Sequence, residues 1–194
     1  MANINNANGL VPIGCMSGAD WHAKLRRVCI LASDGTATGI GDLVKLSGSG
    51  NVLGDTPAVV QSAAGNTHVG VLVSLEPDFT NESTLSAANY RLASTLRYGQ
   101  VAWGSDVLYT AQEDSVGGSM ATTDCGANVE VIVAAPNSIT GMSGMMLDSS
   151  TVATTNTLSL RVHHISRDIG NALGTNCRWM VSINLDQDTS TTGV

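Results

Sequence analysis

The side chains able to do chemistry in this chain are few and scattered. The histidines are His22, His68, His163 and His164. His163 and His164 are adjacent in a β-rich run, and neighbours on a strand point to opposite faces, so they do not readily share a metal ion. Neither HxH nor HExxH occurs, and zinc chemistry wants such spacing. Gly141-Met142-Ser143-Gly144 comes nearest to a nucleophile elbow, but it lacks the second glycine in register and the strand–turn–helix frame. Gly39-Ile40-Gly41-Asp42 lies between two strand-like runs, with no helix behind it to offer an N-terminus to phosphate. Carboxylates gather at Glu113-Asp114 and near Asp148. Paired acids could serve a glycosidase or hold calcium, but the DxDxDG pattern is missing. Gln112, Glu113 and Asp114 either order a loop through a strand-end hydrogen-bond network or stand solvated, and solvation is the plainer expectation. The chain is therefore expected to be no enzyme: catalytic residues none, cofactors none, metal none.

The cysteines Cys15, Cys29, Cys125 and Cys177 show no CxxC and no zinc spacing. Four free, mostly buried thiols are expected, as in a reducing cytosol, with a disulfide between two of them as the alternative on later exposure to air. Trp21, Trp103, Trp179, Tyr90, Tyr98, Tyr109 and Phe79 are the large aromatics. They read as core and interface anchors more readily than as sugar platforms.

The elements that must position these residues follow from composition. The chain of 194 residues holds 21 Gly, 20 Ser, 19 Thr and 14 Asn, and only 13% of it is charged. Small polar residues have displaced Lys, Glu and Arg, which suits strands and turns better than helices. The net charge of −7 and the lack of a basic run beyond Arg26-Arg27 argue against nucleic acid and against an anionic membrane surface. The start MANINNANGL has no basic n-region or apolar h-region, and nothing approaches a spanning helix. The expectation is a chain made and kept soluble in a cytosol.

Short β-rich runs recur between turn signals over 27–32, 40–46, 58–61, 68–75, 91–96, 98–103, 106–112, 128–134, 157–165 and 178–185. TNESTLSAANY over 80–90 is the one stretch that could make a helical turn. This pattern predicts an all-β, jelly-roll or β-sandwich-like domain with long Gly/Ser/Met loops over 115–127 and 136–156. The expected organisation is an extended N-terminal arm over 1–24, one β domain over 25–185, and a polar C-terminal tail over 186–194. The arm is irregular but carries Leu10, Val11, Ile13, Met16 and Trp21, so it reads as a strap lying along another surface. Met142, Met145 and Met146 form a pliable apolar set. They either fold back as core or serve self-association.

The ordered motifs resemble a family of head decoration, or cement, proteins of tailed bacteriophages. The resemblance runs from Gly9-Leu10-Val11-Pro12 through Ala32-Ser33-Asp34-Gly35-Thr36-Ala37, Ile40-Gly41-Asp42-Leu43-Val44-Lys45-Leu46 and Gly70-Val71-Leu72-Val73. It continues through Val107-Leu108-Tyr109, Gln112-Glu113-Asp114, Gly141-Met142-Ser143-Gly144 and Leu147-Asp148-Ser149-Ser150. It closes on Asn171-Ala172-Leu173-Gly174 and Trp179-Met180-Val181-Ser182-Ile183-Asn184. It implies a β domain made in the host bacterial cytoplasm and placed on the outer surface of the virion, a homo-oligomer (dimer or trimer), and the major capsid protein as partner. On that reading Leu10, Val11, Ile13, Trp21, Arg26 and Arg27 contact the capsid, the two arginines pairing with acidic groups. Met142, Met145 and Met146 make the self-association surface. A carbohydrate-binding or adhesin module on the virion exterior is the alternative.

Overall fold

The computed structural model describes residues 3–77 and 89–189. Among the described residues the regular structure is eleven strands, with 3-10 turns at Trp21–Lys24 and Thr122–Asp124. In chain order they are β1 (Val11–Cys15), β2 (Leu25–Ile30), β3 (Leu43–Gly50), β4 (Pro57–Gln61), β5 (Gly70–Leu75) and β6 (Arg97–Trp103). The rest are β7 (Val107–Gln112), β8 (Asn128–Ile132), β9 (Met146–Ala153), β10 (Leu160–Ile165) and β11 (Arg178–Ile183). The all-β expectation holds. The helical turn expected over 80–90 falls, up to residue 88, outside the described residues, as does Phe79.

The strands form two bodies. β2-β4-β3-β5-β6 close into a five-stranded barrel, and β1-β7-β11-β10-β8-β9 make a six-stranded sheet. The sheet is antiparallel throughout. The barrel closes through one parallel pairing, Cys29 of β2 opposite Ala58 of β4. Alternation along the barrel strands explains why the two bodies pack like a sandwich. Val44, Leu72 and Val101 point inward and fill the barrel with Val28, Ile30, Val59, Val69 and Trp103. Their sequence neighbours Leu43, Val71 and Ala102 point outward and join the core under the six-stranded sheet, with Tyr109, Trp179, Val181, Leu160 and Leu147. Side chains on successive strand residues face opposite ways, and here both faces are covered. That is why Gly70–Leu75 reads as a continuous apolar run. Each fully buried Val or Leu contributes roughly 1.5–3 kcal/mol relative to exposure.

Two strands lie where loop or arm was expected. β1 runs VPIGC along β7, with a register shift between Pro12 and Gly14. Proline and a bulge glycine hide a strand from pattern reading, and both are tolerated at a sheet edge. β9 runs MLDSSTVA at the other edge, paired with β8. Its polar residues follow from partial exposure. Residues 91–96 are not a strand; Arg91 makes a single bridge to Thr38. The segment after β11 is docked instead of trailing. His68 donates its backbone N–H to Leu185 O at 2.8 Å, and Gln187 N–H returns to His68 O at 2.9 Å. Gln187 Oε1 accepts from Leu46 N–H at 2.8 Å, and the Trp103 indole donates to the Asp188 carboxylate. The polar-tail expectation is thus corrected for residues 186–188.

Candidate functional site

The segment expected as a free arm is bonded along its length to its own chain. Asn3 donates to Ala172 O and Thr175 O and accepts from Ala172 N–H. Asn5 Oδ1 accepts from the Gln112 amide, whose Oε1 accepts from Asn6 N–H. The chain then crosses the Gly39–Gly41 loop, and Leu10 N–H donates to Gly41 O at 2.9 Å. Gly9 has φ +67°, and a Cβ there would stand 2.5 Å from Gly41 O and from Ser143 Cβ. Only glycine permits this left-handed close crossing. It drops the Leu10 side chain into the core at 1% exposure. Leu10 is therefore a core residue, which corrects its expected role in capsid contact.

The other expected contact residues divide by environment. Val11, Ile13 and Met16 remain exposed, at 40%, 44% and 53%. Trp21 is half-buried and stacks on His22. Arg26 lies over the Trp103 ring at 4.8 Å. Arg27 is occupied within the chain, since its guanidinium donates twice to the Glu76 carboxylate at 2.7 and 2.8 Å and lies over Tyr98 at 4.4 Å. It is not a free cation for acidic partner groups. Met145 is fully buried, and its sulfur accepts from Leu43 N–H at 3.3 Å, so it is core and not self-association surface. Met146 is half-buried near Gln112. Met142 lines an apolar groove of about 190 Å³ with Val11, Pro12, Trp21, Ile40 and Val73. Tertiary contact thus gathers part of both expected sets, Val11 and Trp21 from one and Met142 from the other, around a single depression.

The buried polar groups hold the fold together. Glu113 is fully buried and accepts from Met120 N–H at 2.8 Å, Ser115 Oγ at 3.1 Å and the Trp179 indole at 3.3 Å. Asp114 Oδ1 accepts from the Ser149 N–H and hydroxyl. Gln112 is buried too. The strand-end network is therefore present, and the solvated expectation for Gln112, Glu113 and Asp114 is corrected. Asp42 Oδ2 accepts from Gly39 N–H and from Gln61, and burial pushes its carboxyl above the usual range. His68 bonds Ser62 Oγ at 2.8 Å, and burial followed by the Lys45 charge pushes its imidazole down to about 4. Arg91 is sealed in and donates to the carbonyls of Leu31, Asp34, Thr36 and Thr95.

His163 Nε2 lies 2.9 Å from Ser182 Oγ on paired strands. Ser182 is only 3% exposed. Among the described residues no carboxylate hydrogen-bonds the other ring nitrogen of His163, so the orienting partner of a nucleophile–base system is missing there. Among the described residues no His, Cys, Asp and Glu group is arranged to hold a metal ion, and no helix is long and apolar enough to cross a membrane.

One feature of the surface escaped the sequence reading. The β3–β4 hairpin ends in Asn51-Val52-Leu53-Gly54-Asp55, with Val52 at 101% and Leu53 at 82% exposure. The turn is braced without them. Asn51 Oδ1 accepts from Asp55 N–H and Thr56 N–H, and its amide donates to Asp55 Oδ1 at 2.6 Å. Two large apolar residues inside an Asn/Gly/Asp turn, where polar residues usually sit, were the signal.

No protein-family model, curated protein or solved structure matches this chain.

Proposed function

We propose that this chain is a structural protein of a bacteriophage virion that decorates the outer surface of the head and stabilises the lattice of the major capsid protein. The observation that carries the reading is the edge of the six-stranded sheet. Val11, Ile13 and Met16 stand exposed on a strand and strand end otherwise fixed to β7, so their burial against a partner costs little ordering entropy. The motif resemblance and the acidic surface, suited to the outside of a shell and away from packaged DNA, support it. The buried carboxylates and imidazole described above each make at least one bond within the chain, which fits a scaffold whose output is contact. A protein that binds the assembled lattice and not free subunits stabilises the lattice by linkage, and many modest contacts add across a shell.

The test uses expanded heads lacking this protein. Wild type is expected to sediment with the heads and raise their thermal disruption temperature. Ile13→Asp combined with Met16→Asp is expected to abolish both effects while leaving the far-UV circular dichroism unchanged. Wild type that leaves the heads unbound and unprotected refutes the reading.

A further inference from the structure

We propose that the outer face of the six-stranded sheet, from β1 to β10, docks on an acidic patch of the major capsid protein through Arg161 and Arg178. This inference rests on the capsid-decoration reading and names the chemistry that the attachment edge meets. Strand pairing lays out the face. One row runs Val11, Thr110, Met180 and His164 across β1, β7, β11 and β10. Another runs Gly14, Leu108, Ser182 and Arg161, and Arg178 stands opposite Gln112. Their neighbours Tyr109, Val162, Trp179 and Val181 fill the core on the other side, so these rows look outward. A register shift between Val162 and His164 breaks the alternation on β10. Val162 and Ile165 both meet the core, so His163 and His164 both fall on the outer face, His163 bonded to Ser182 Oγ.

Charge selects the partner. The β10–β11 hairpin, Leu160 to Ile183, carries Arg161, Arg167 and Arg178 against one acid, Asp168, a formal +2. The rest of the chain carries six basic and fifteen acidic residues, a formal −9. Several cations elsewhere are already answered. Lys24 pairs with Asp106 at 3.1 Å, Arg27 with Glu76, and Arg91 is sealed beside Asp34. Among the described residues Arg161, Arg167 and Arg178 form no ion pair. Arg161 donates its Nε–H to Asn128 Oδ1 at 3.3 Å and keeps its other donors. Two carboxylates border the face: Asp168 shares a depression with Arg178, and Asp186 shares one with Arg161 and His163. Neither is paired with those arginines, whose charge stays open to a partner. The same arginines adjoin the attachment edge. Met16 lines one depression with Arg161, and Val11 lines another with Arg178. Arginine and methionine beside exposed apolar side chains are the make-up of a protein interface, and the −9 remainder repels a polyphosphate. A second copy also offers acidic groups; continuity with the edge assigns the face to the capsid. Charges at an interface rim set orientation and encounter rate more than affinity, so the arginines steer the landing and the apolar edge holds it.

Co-sedimentation of the full chain with expanded heads lacking it, from about 50 to about 500 mM sodium chloride, tests this. Wild-type affinity is expected to fall about tenfold or more over that range. Arg161→Glu combined with Arg178→Glu is expected to weaken attachment about 30-fold or more at low salt. Arg161→Lys combined with Arg178→Lys keeps the charge and is expected to retain most of the affinity. Circular dichroism matching wild type qualifies each variant, and the salt series on wild type needs no variant. Wild type that leaves the heads unbound overturns the decoration reading and this inference with it. Wild type that binds through Ile13 and Met16 but is indifferent to salt overturns this inference alone. So does a folded charge-reversed variant that binds like wild type, or a lysine variant as weak as the glutamate one. Self-association of wild type in sedimentation velocity that the charge reversal abolishes gives the face to a second copy and overturns it too.

Discussion

Removing the Glu113 carboxylate should cost this protein much of its stability. Glu113→Ala leaves two donors stranded in the core, the Met120 N–H and the Trp179 indole N–H, in residues 3% and 1% exposed. An unsatisfied buried donor costs about 1–3 kcal/mol, so the pair is worth about 4 kcal/mol. The Ser115 hydroxyl is half-buried and can turn to water, so it adds little. Glu113→Gln preserves the shape and one carbonyl oxygen to receive both donors, and should cost about 1 kcal/mol. Denaturant titration followed by tryptophan fluorescence measures both. In a thermal melt the alanine variant should fall about 8–16 °C, at roughly 2–4 °C per kcal/mol for a domain of this size. An alanine variant within about 1 kcal/mol of wild type, or a glutamine variant as damaged as alanine, refutes the argument that acceptor geometry at this site holds the 113–120 loop.

Two further expectations follow from buried groups. His68 is held neutral, with its imidazole pushed down to about 4 by burial and the Lys45 charge. The unfolded chain takes up that proton below about 6.5. Stability from this group is therefore complete above pH 6.5 and falls as pH drops toward 4, by about 3 kcal/mol in all; His68→Gln should flatten the pH dependence of unfolding in that window, and an unchanged slope counts against it. Cys15, Cys29 and Cys177 are buried and Cys125 is exposed, while burial and then the Glu113 charge push the Cys177 thiol up to about 11. A thiol-reactive chromogen should titrate one group rapidly in native protein and four in denaturant, and two or more fast groups would contradict that placement.

Much of the fold was legible because strands of this protein that are covered on one or both faces carry β-branched and apolar residues in short bounded runs. β2, β4 and β6 through β8 lie close to the runs read from residue pattern. The two edge strands were not legible. β1 contains Pro12 and Gly14, and β9 carries Asp148-Ser149-Ser150-Thr151, and each is held by pairing that only the neighbouring strand reveals. At the candidate surface, Val11 and Ile13 are exposed and Trp21 is half-buried against the core, while Leu10 and Met145 lie inside it. Residue type states that a side chain is apolar, and it does not state whether its own chain or another covers it.

Composition and period alone determined the β class, the turn-rich connections and the acidic surface, because these depend on residue types and local spacing. Tertiary structure alone decided that Val71 and Leu72 serve two different cores, that Glu113 is sealed beneath a loop, and that the Gly9 crossing turns an expected arm into part of the domain. The physical reason is range. Alternation follows from the backbone of one strand, whereas burial is set by which distant segments close over each face, and that is a property of the packed assembly of strands.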